Sequence, residues 1–230
     1  MEGEGVVMIG RKKELEVLRD CIEADRSRLV VVYGRRRVGK TFLVREAFDY
    51  RFTFTHTGLE KGGLREQLSE FWSSLKRQWN ADCRMPSNWF EAFDLLKDAV
   101  EGSNDSRKTI FIDELPWMDM RNSGFVKAVE AFWNGWASAR KDVVMVVCGS
   151  AAAWMTKKVL QNRGGLFNRA NRTIMTGTYP AHAPKRFAAR YRVKIELTDA
   201  AVTRLRCAAA WEASSFDSSR FIPNSPSPPR

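Results

Sequence analysis

Residues 34–41, Gly-Arg-Arg-Arg-Val-Gly-Lys-Thr, fit the pattern G-x-x-x-x-G-K-[ST] at every fixed position. The apolar run 29–33, Leu-Val-Val-Val-Tyr, precedes them and the helix-compatible run 42–48, Phe-Leu-Val-Arg-Glu-Ala-Phe, follows. Two glycines permit backbone angles that let successive amides converge on an anion, and the following helix directs its positive end there. The stretch predicts a phosphate-binding loop made by Gly34, Arg35, Arg36, Arg37, Val38, Gly39, Lys40, Thr41 and Phe42.

Two side chains of this loop are suited to nucleotide chemistry. Lys40 is expected to reach the β- and γ-phosphates as a point charge, and the Thr41 hydroxyl to ligate Mg²⁺. The alternative is a basic glycine turn that matches the pattern by chance. The predicted strand before the loop and the helix after it favour the phosphate loop.

A second chemical landmark is the run 108–114, Lys-Thr-Ile-Phe-Ile-Asp-Glu, in which apolar residues lead into two carboxylates. This pattern is typical of a buried parallel strand that presents acids at its C-terminal end. In the Walker B role, Asp113 would hold Mg²⁺ opposite Thr41, and Glu114 would orient or deprotonate the attacking water. A surface turn is the alternative. The Asp-x-x-Gly and Asn-Lys-x-Asp patterns expected of a GTPase are absent from the sequence.

A third apolar run, 143–148, ends at Gly149 and Ser150. The residues around Ser150 do not fit the G-x-S-x-G elbow of a serine nucleophile, and a plain strand-ending serine is one interpretation of this position. Further along, Arg163 or Arg169 could stabilise charge on a γ-phosphate, and a solvated basic loop is an equal alternative.

The remaining elements complete an α/β pattern. An alternating stretch at 51–55 predicts a strand, and residues 172–176 a last one. Apolar residues at intervals of three and four predict helices that carry Leu15, Leu64 and Phe125, and one that Asn88 caps. We interpret the aromatic residues of these helices as core, because they keep helical spacing.

Composition limits the class of protein. The chain has 230 residues, of which 44% are apolar, and contains no apolar run near the roughly 20 residues that span a bilayer. Residues 1–5 lack the basic flank of a signal peptide, and the four cysteines are scattered. We therefore expect a cytoplasmic protein with no membrane partner. The net charge of +11 is weak support for a DNA partner, because phosphate ligands also require positive charge.

Several motifs in order resemble one family. They are Ile-Gly-Arg-x-x-Glu-Leu at 9–15, the phosphate loop, Ile-Asp-Glu-Leu-Pro-Trp-Met at 112–118, Cys-Gly-Ser at 148–150 with Trp154 and Met155, and residues 162–169. Together they resemble the prokaryotic AAA-like P-loop ATPases called the archaeal or DEXX-box ATPase family. The resemblance covers about residues 8–176. It implies a five-stranded parallel sheet of the additional-strand class flanked by helices, ATP and Mg²⁺ as cofactors, and a sensor role for Ser150.

Beyond residue 176 the sequence departs from that family, whose members usually continue into a helical lid. Six of the eight prolines lie in 177–230, with many Ala, Arg and Ser residues. We expect an ATPase domain at 1–176 and a poorly ordered tail at 177–230. The leading hypothesis is Mg²⁺-dependent ATP hydrolysis using Glu114, Lys40, Ser150 and Arg169. A nucleotide-binding switch or catalytically defective ATPase and a DNA-associated module using residues 35–37 are the alternatives. A homo-oligomer and a protein partner stay open.

Overall fold

Five parallel strands form one sheet in the computed structural model, which describes residues 11–79, 83–161, 166 and 170–176. The strands are β1 (Arg28–Gly34), β2 (Phe54–Thr57), β3 (Lys108–Asp113), β4 (Val143–Gly149) and β5 (Arg172–Thr176). Their order across the sheet is β2-β3-β4-β1-β5, and every neighbouring pair is parallel. The α/β class and the five-stranded parallel sheet are thereby confirmed.

Strand β4 is inserted between β1 and β3. Val32 of β1 lies opposite Cys148, and Ile112 of β3 lies opposite Val147. Because parallel strands end on the same edge, the residues that follow β1, β3 and β4 all meet at one edge of the sheet. This is the added central strand that the resemblance implied.

Helices cover both faces of the sheet. One face carries α1 (Lys12–Glu23) and α2 (Lys40–Ala47), and the other carries α3 (Leu64–Trp79), α4 (Trp89–Glu101) and α5 (Phe125–Gly135). A short helix α6 (Ala152–Trp154) continues into π-helical turns at Met155–Leu160, and 3₁₀ turns form at Leu115–Trp117 and Ala137–Ala139. Both faces are covered, which explains why the central strands are almost continuously apolar. None of the described helices is long and apolar enough to cross a bilayer.

The helical aromatic residues form the larger of two apolar cores, as predicted. Trp89 is fully buried and contacts Phe71 and Phe125 edge to face, with ring centroids 5.6 and 4.7 Å apart. The α4 helix begins at the predicted cap, where the Asn88 side chain accepts a 3.0 Å hydrogen bond from the Glu91 amide. These rings stabilise the packing of α3, α4 and α5 on the sheet.

The second strand lies further along the chain than its alternation predicted. The prediction was 51–55, and β2 is Phe54–Thr57. The ladder begins late because the backbone amides of Thr53 and Thr109 each donate to the other's side-chain hydroxyl, at 3.1 and 3.0 Å, in place of a backbone carbonyl. The strand also extends past residue 55. The polar residue His56 interrupts the alternation of the sequence, but its side chain is buried within β2.

Candidate nucleotide-binding site

The phosphate loop, residues 34–41, leaves β1 at the edge where the strands end. Gly34 has a φ of 149°, and a Cβ there would lie 1.8 Å from the backbone oxygen of Thr176. Gly39 has a φ of 77°, and no atom would lie within 4 Å of its Cβ. Glycine is therefore required sterically at the first position and conformationally at the second. The open space beside Gly39 leaves room for an anion next to the start of α2.

Lys40 places a positive charge inside this loop. It is the first residue of α2, and only 5% of its surface is exposed. Its Nζ donates to the carbonyl oxygens of Gly34 and Arg35, at 3.3 and 2.7 Å. The ammonium group is thereby held within reach of any phosphate that the loop amides bind.

A hydroxyl and a carboxylate meet beside the loop. The Thr41 Oγ1 donates to Oδ2 of Asp113 at 2.6 Å, and Asp113 is 4% exposed. The other carboxylate oxygen, Oδ1, accepts from the Glu114 amide at 2.8 Å. Hydroxyl and carboxylate oxygens are hard ligands that suit Mg²⁺. Since no three His, Cys, Asp or Glu side chains of the described residues gather into a metal cage, an ion here would also need phosphate and water ligands.

Glu114 and Ser150 contact each other directly. Glu114 adopts a left-handed conformation, with φ 46° and ψ 46°, directly after β3. Its Oε2 accepts hydrogen bonds from the Ser150 amide at 3.2 Å and from the Ser150 hydroxyl at 2.8 Å. The structure therefore brings together Lys40, Thr41, Asp113, Glu114 and Ser150, all of which were predicted from the sequence as site residues.

Sequence reasoning missed Cys148, which is fully buried beneath the same edge. Burial raises the pKa of its thiol well above the usual value, and the neighbouring Asp113 carboxylate adds to this effect. The thiol therefore lies beside the carboxylate expected to hold Mg²⁺. The sequence does not indicate this contact, because a single cysteine at the end of an apolar run looks like any other core residue.

Arginines around the loop differ in what they contact. Arg11, also absent from the predicted set, donates to the Val38 carbonyl at 2.7 Å and so supports the tip of the loop. Residues 35–37 are all exposed, and Arg36 in addition pairs with Glu60 at 3.2 Å and lies over the Trp117 ring. The proposed charge-stabilising residues at 163 and 169 lie outside the described residues, so the Arg169 role stays a prediction.

Comparisons with known proteins found relatives in sequence. No protein-family profile matches the chain. An uncharacterized protein of Methanocaldococcus jannaschii is 24% identical over 163 residues, 71% of this chain and 34% of the relative. The chain thus spans about a third of that relative's length. An uncharacterized ATP-binding protein of the same organism is 46% identical over 46 residues, 20% of this chain and 78% of the relative.

A solved structure supports the fold. The Walker-type ATPase of Pyrococcus abyssi superposes with a TM-score of 0.54 and 16% identity, over 76% of this chain and 55% of that one. At this identity the likeness concerns the fold alone, and it agrees with the parallel sheet flanked by helices. Taken with the high identity to the ATP-binding relative, these observations show that the chain belongs to the archaeal P-loop ATPase family.

Proposed function

We propose that this protein binds ATP with Mg²⁺ and hydrolyses it with a water molecule that Glu114 activates. The observation that carries the proposal is the contact between Glu114 and Ser150, 2.8 Å long, at the same sheet edge as the Thr41–Asp113 pair. One phosphate loop is thus flanked by the carboxylate of Glu114 with its hydroxyl donor Ser150, and by the Thr41–Asp113 pair that could hold a metal ion. The buried ammonium group of Lys40 lies inside the same loop.

Binding would use the loop amides and Lys40. The amides of residues 34–41 and the start of α2 would surround the phosphates, and Lys40 would exchange its carbonyl partners for phosphate oxygens. Thr41 and Asp113 would hold Mg²⁺, which would supply positive charge to neutralise the phosphates. Both side chains already lie within hydrogen-bonding distance of each other, so little rearrangement is needed.

Hydrolysis would follow from the position of Glu114. The carboxylate would accept a proton from water as the water oxygen bonds to the γ-phosphorus, while the bond from phosphorus to the bridging β-γ oxygen breaks and ADP leaves. Lys40 would stabilise negative charge developing on the phosphate oxygens. Ser150 would orient the carboxylate through its two hydrogen bonds. Arg169 would add a further positive charge from the segment that follows.

A second candidate is a nucleotide-binding switch with little turnover. The contact between Thr41 and Asp113 favours it, because the two groups bond to each other directly at 2.6 Å. If that bond persists with ATP bound, neither oxygen is free to hold Mg²⁺. The two candidates share the binding step and differ in phosphate release.

The test combines binding and turnover in the same preparations. Thermal unfolding with and without Mg-ATP measures binding, and a ligand at a hundred times its Kd stabilises by about 2.7 kcal/mol. We expect this shift in the wild type and in the exposed α1 variant Lys12→Ala, and not in Lys40→Ala. Steady-state phosphate release then separates the candidates, since binding without release supports the switch. No shift in a cooperatively folded wild type would refute both.

The wider biology stays a set of predictions. A homo-oligomer, a DNA or protein partner, and a cytoplasmic location each need their own test. For the DNA-associated module, salt-sensitive binding of a duplex that survives deletion of residues 177–230 is the expected observation.

A further inference from the structure

Gln67 is a fully buried polar side chain on α3, at the N-terminal part of that helix. Its Oε1 accepts from the Leu59 amide at 3.0 Å. Its Nε2 donates to the carbonyl oxygens of Leu59 and Trp117, at 2.7 and 2.8 Å. The side chain therefore uses one acceptor and both of its donors, a combination that only an amide side chain provides.

These three bonds join two segments that flank the site. Leu59 belongs to the loop that follows β2, and Trp117 ends the 3₁₀ turn Leu115–Trp117. That turn begins directly after Glu114, and the Trp117 amide donates to the Glu114 carbonyl at 2.9 Å. Gln67 is thus two hydrogen bonds away from the backbone of the proposed base.

The same two segments also approach each other closely. The Gly58 amide donates to the Asp113 carbonyl at 3.1 Å, and a Cβ at Gly58 would lie 2.9 Å from the Glu114 carbonyl oxygen. The Glu114 backbone is left-handed, a conformation that costs about 1–2 kcal/mol for a residue with a side chain. Surrounding contacts must hold it there.

We propose that Gln67 is a positioning residue for Glu114, a proposal that rests on the proposed ATPase function. Its amide fixes the Trp117 turn against the loop after β2, and the turn fixes the backbone from which the Glu114 carboxylate reaches Ser150. Gln67 touches neither Glu114 nor the phosphate loop through these bonds, so it acts on the rate through geometry alone.

A second glutamine on the same helix provides a matched control. Gln78 lies near the C-terminal end of α3, where its amide accepts from the Thr55 amide at 2.8 Å and donates to the Thr55 carbonyl at 2.7 Å. It makes the same kind of two-point contact with a residue of β2. Its third hydrogen bond goes to the Ser74 carbonyl of its own helix, not to the Trp117 turn. Loss of either amide removes a two-point contact with one backbone residue, although Gln78 is exposed and Gln67 is buried.

The experiment compares Gln67→Met with Gln78→Met in the full chain. For Gln67→Met we expect kcat to fall about tenfold or more, since a 1 Å displacement of a catalytic group costs up to about 10²-fold. Its Kd for Mg-ATP should stay within about twofold of the wild type, because Lys40 and Thr41 keep their contacts. Within the phosphate loop, the change would reach the exposed Arg36, which pairs with Glu60 and lies over the Trp117 ring. Gln78→Met should keep the wild-type kcat.

Amide hydrogen exchange gives a readout that needs no turnover. In Gln67→Met, exchange in the segment 114–118 should become faster, while Gln78→Met should leave it unchanged. If Gln67→Met does not fold, Gln67→Asn keeps an amide at this buried position but is one methylene shorter, so it cannot hold both Leu59 and Trp117, and the same changes are expected.

Unchanged exchange at 114–118, or an equal loss of kcat in the two methionine variants, would overturn the proposal. A wild type that binds Mg-ATP but never releases phosphate would refute the proposed ATPase function separately. Amide hydrogen exchange in residues 114–118 would then still show whether Gln67 holds the turn Leu115–Trp117 in place.

Discussion

The Ser150 hydroxyl lies 2.8 Å from a carboxylate oxygen of Glu114, and the Ser150 amide lies 3.2 Å from the same atom. The two residues are 36 positions apart in the sequence. They meet because β3 and β4 are adjacent parallel strands, and each residue directly follows the end of its strand. This contact joins the proposed base to the proposed sensor.

Removal of the Ser150 hydroxyl should slow hydrolysis without weakening binding. A hydrogen bond to a charged group contributes about 1.5–3 kcal/mol, so we expect Ser150→Ala to lower kcat by about tenfold or more. The Kd for Mg-ATP should be unchanged. Steady-state phosphate release measures the first quantity and thermal shift the second. Ser138→Ala, which removes a hydroxyl bonded to the Asn134 carbonyl, is the control. An unaltered or higher rate in Ser150→Ala would remove Ser150 from the mechanism.

Thr41 should control the response to Mg²⁺. Thr41→Val keeps the shape of the side chain and removes the hydroxyl that lies 2.6 Å from Asp113. We expect the Mg²⁺ concentration for half-maximal stabilisation by ATP to rise about tenfold, because one oxygen ligand is lost. Stabilisation by ATP in excess chelator should not change. A titration that matches the wild type would exclude Thr41 as a ligand.

Substitution by alanine should affect stability differently at Gly34 and Gly39, the two glycines of the phosphate loop. Gly34→Ala would place a Cβ 1.8 Å from the Thr176 carbonyl oxygen, so we expect loss of cooperative folding. In Gly39→Ala the added Cβ lies within 4 Å of no other atom, so the strain comes only from the φ of 77°. We expect this strain to lower the free energy of unfolding by about 1–2 kcal/mol. Urea unfolding measures both. An equal loss of unfolding free energy in the two variants would mean that Gly34 does not lie against the Thr176 carbonyl.

Acid should destabilise the fold through His56. Burial lowers the pKa of this side chain to about 4, and the charge of Arg77 acts in the same direction. Because the Ser74 hydroxyl donates to the Glu70 carbonyl, Nδ1 of neutral His56 is the donor in the 3.0 Å contact with Ser74. The unfolded chain binds a proton near pH 6.5, so stability present above that pH is lost as pH falls toward 4.

The size of this effect can be measured against a variant. The separation between the two pKa values corresponds to about 3 kcal/mol, part of which is lost by pH 4.5. We expect the fall in unfolding free energy between pH 7 and pH 4.5 to be smaller in His56→Asn by about 2 kcal/mol. Parallel pH profiles for the two proteins would show that His56 is not buried in its neutral form.

The fold and the residue types of the site could be predicted from sequence because both depend on local pattern. Three apolar runs ended in the phosphate loop, in Asp113 and Glu114, and in Ser150, and parallel strands place such ends at one edge. The β2 boundary was wrong because reciprocal bonds between Thr53 and Thr109, 56 residues apart, decide where the ladder starts. No short-range pattern contains that information.

The contacts that tune the site were also beyond sequence reasoning. Gln67 looks like any polar residue on an amphipathic helix, and only the packing of α3 against the Trp117 turn buries it. Cys148 likewise continues an apolar strand and acquires its Asp113 neighbour through the order of the sheet. Both depend on which strands are adjacent, a property of the whole domain.

The central claim is that Glu114 activates the attacking water, and single-turnover cleavage of ATP by Glu114→Gln tests it most directly. With protein in excess over ATP and Mg²⁺ present, the account predicts wild-type binding and a rate lowered by a factor on the order of 10² or more. The exposed α1 variant Glu16→Gln should cleave ATP as the wild type does. Cleavage at the wild-type rate by Glu114→Gln, with ATP bound, would contradict the account.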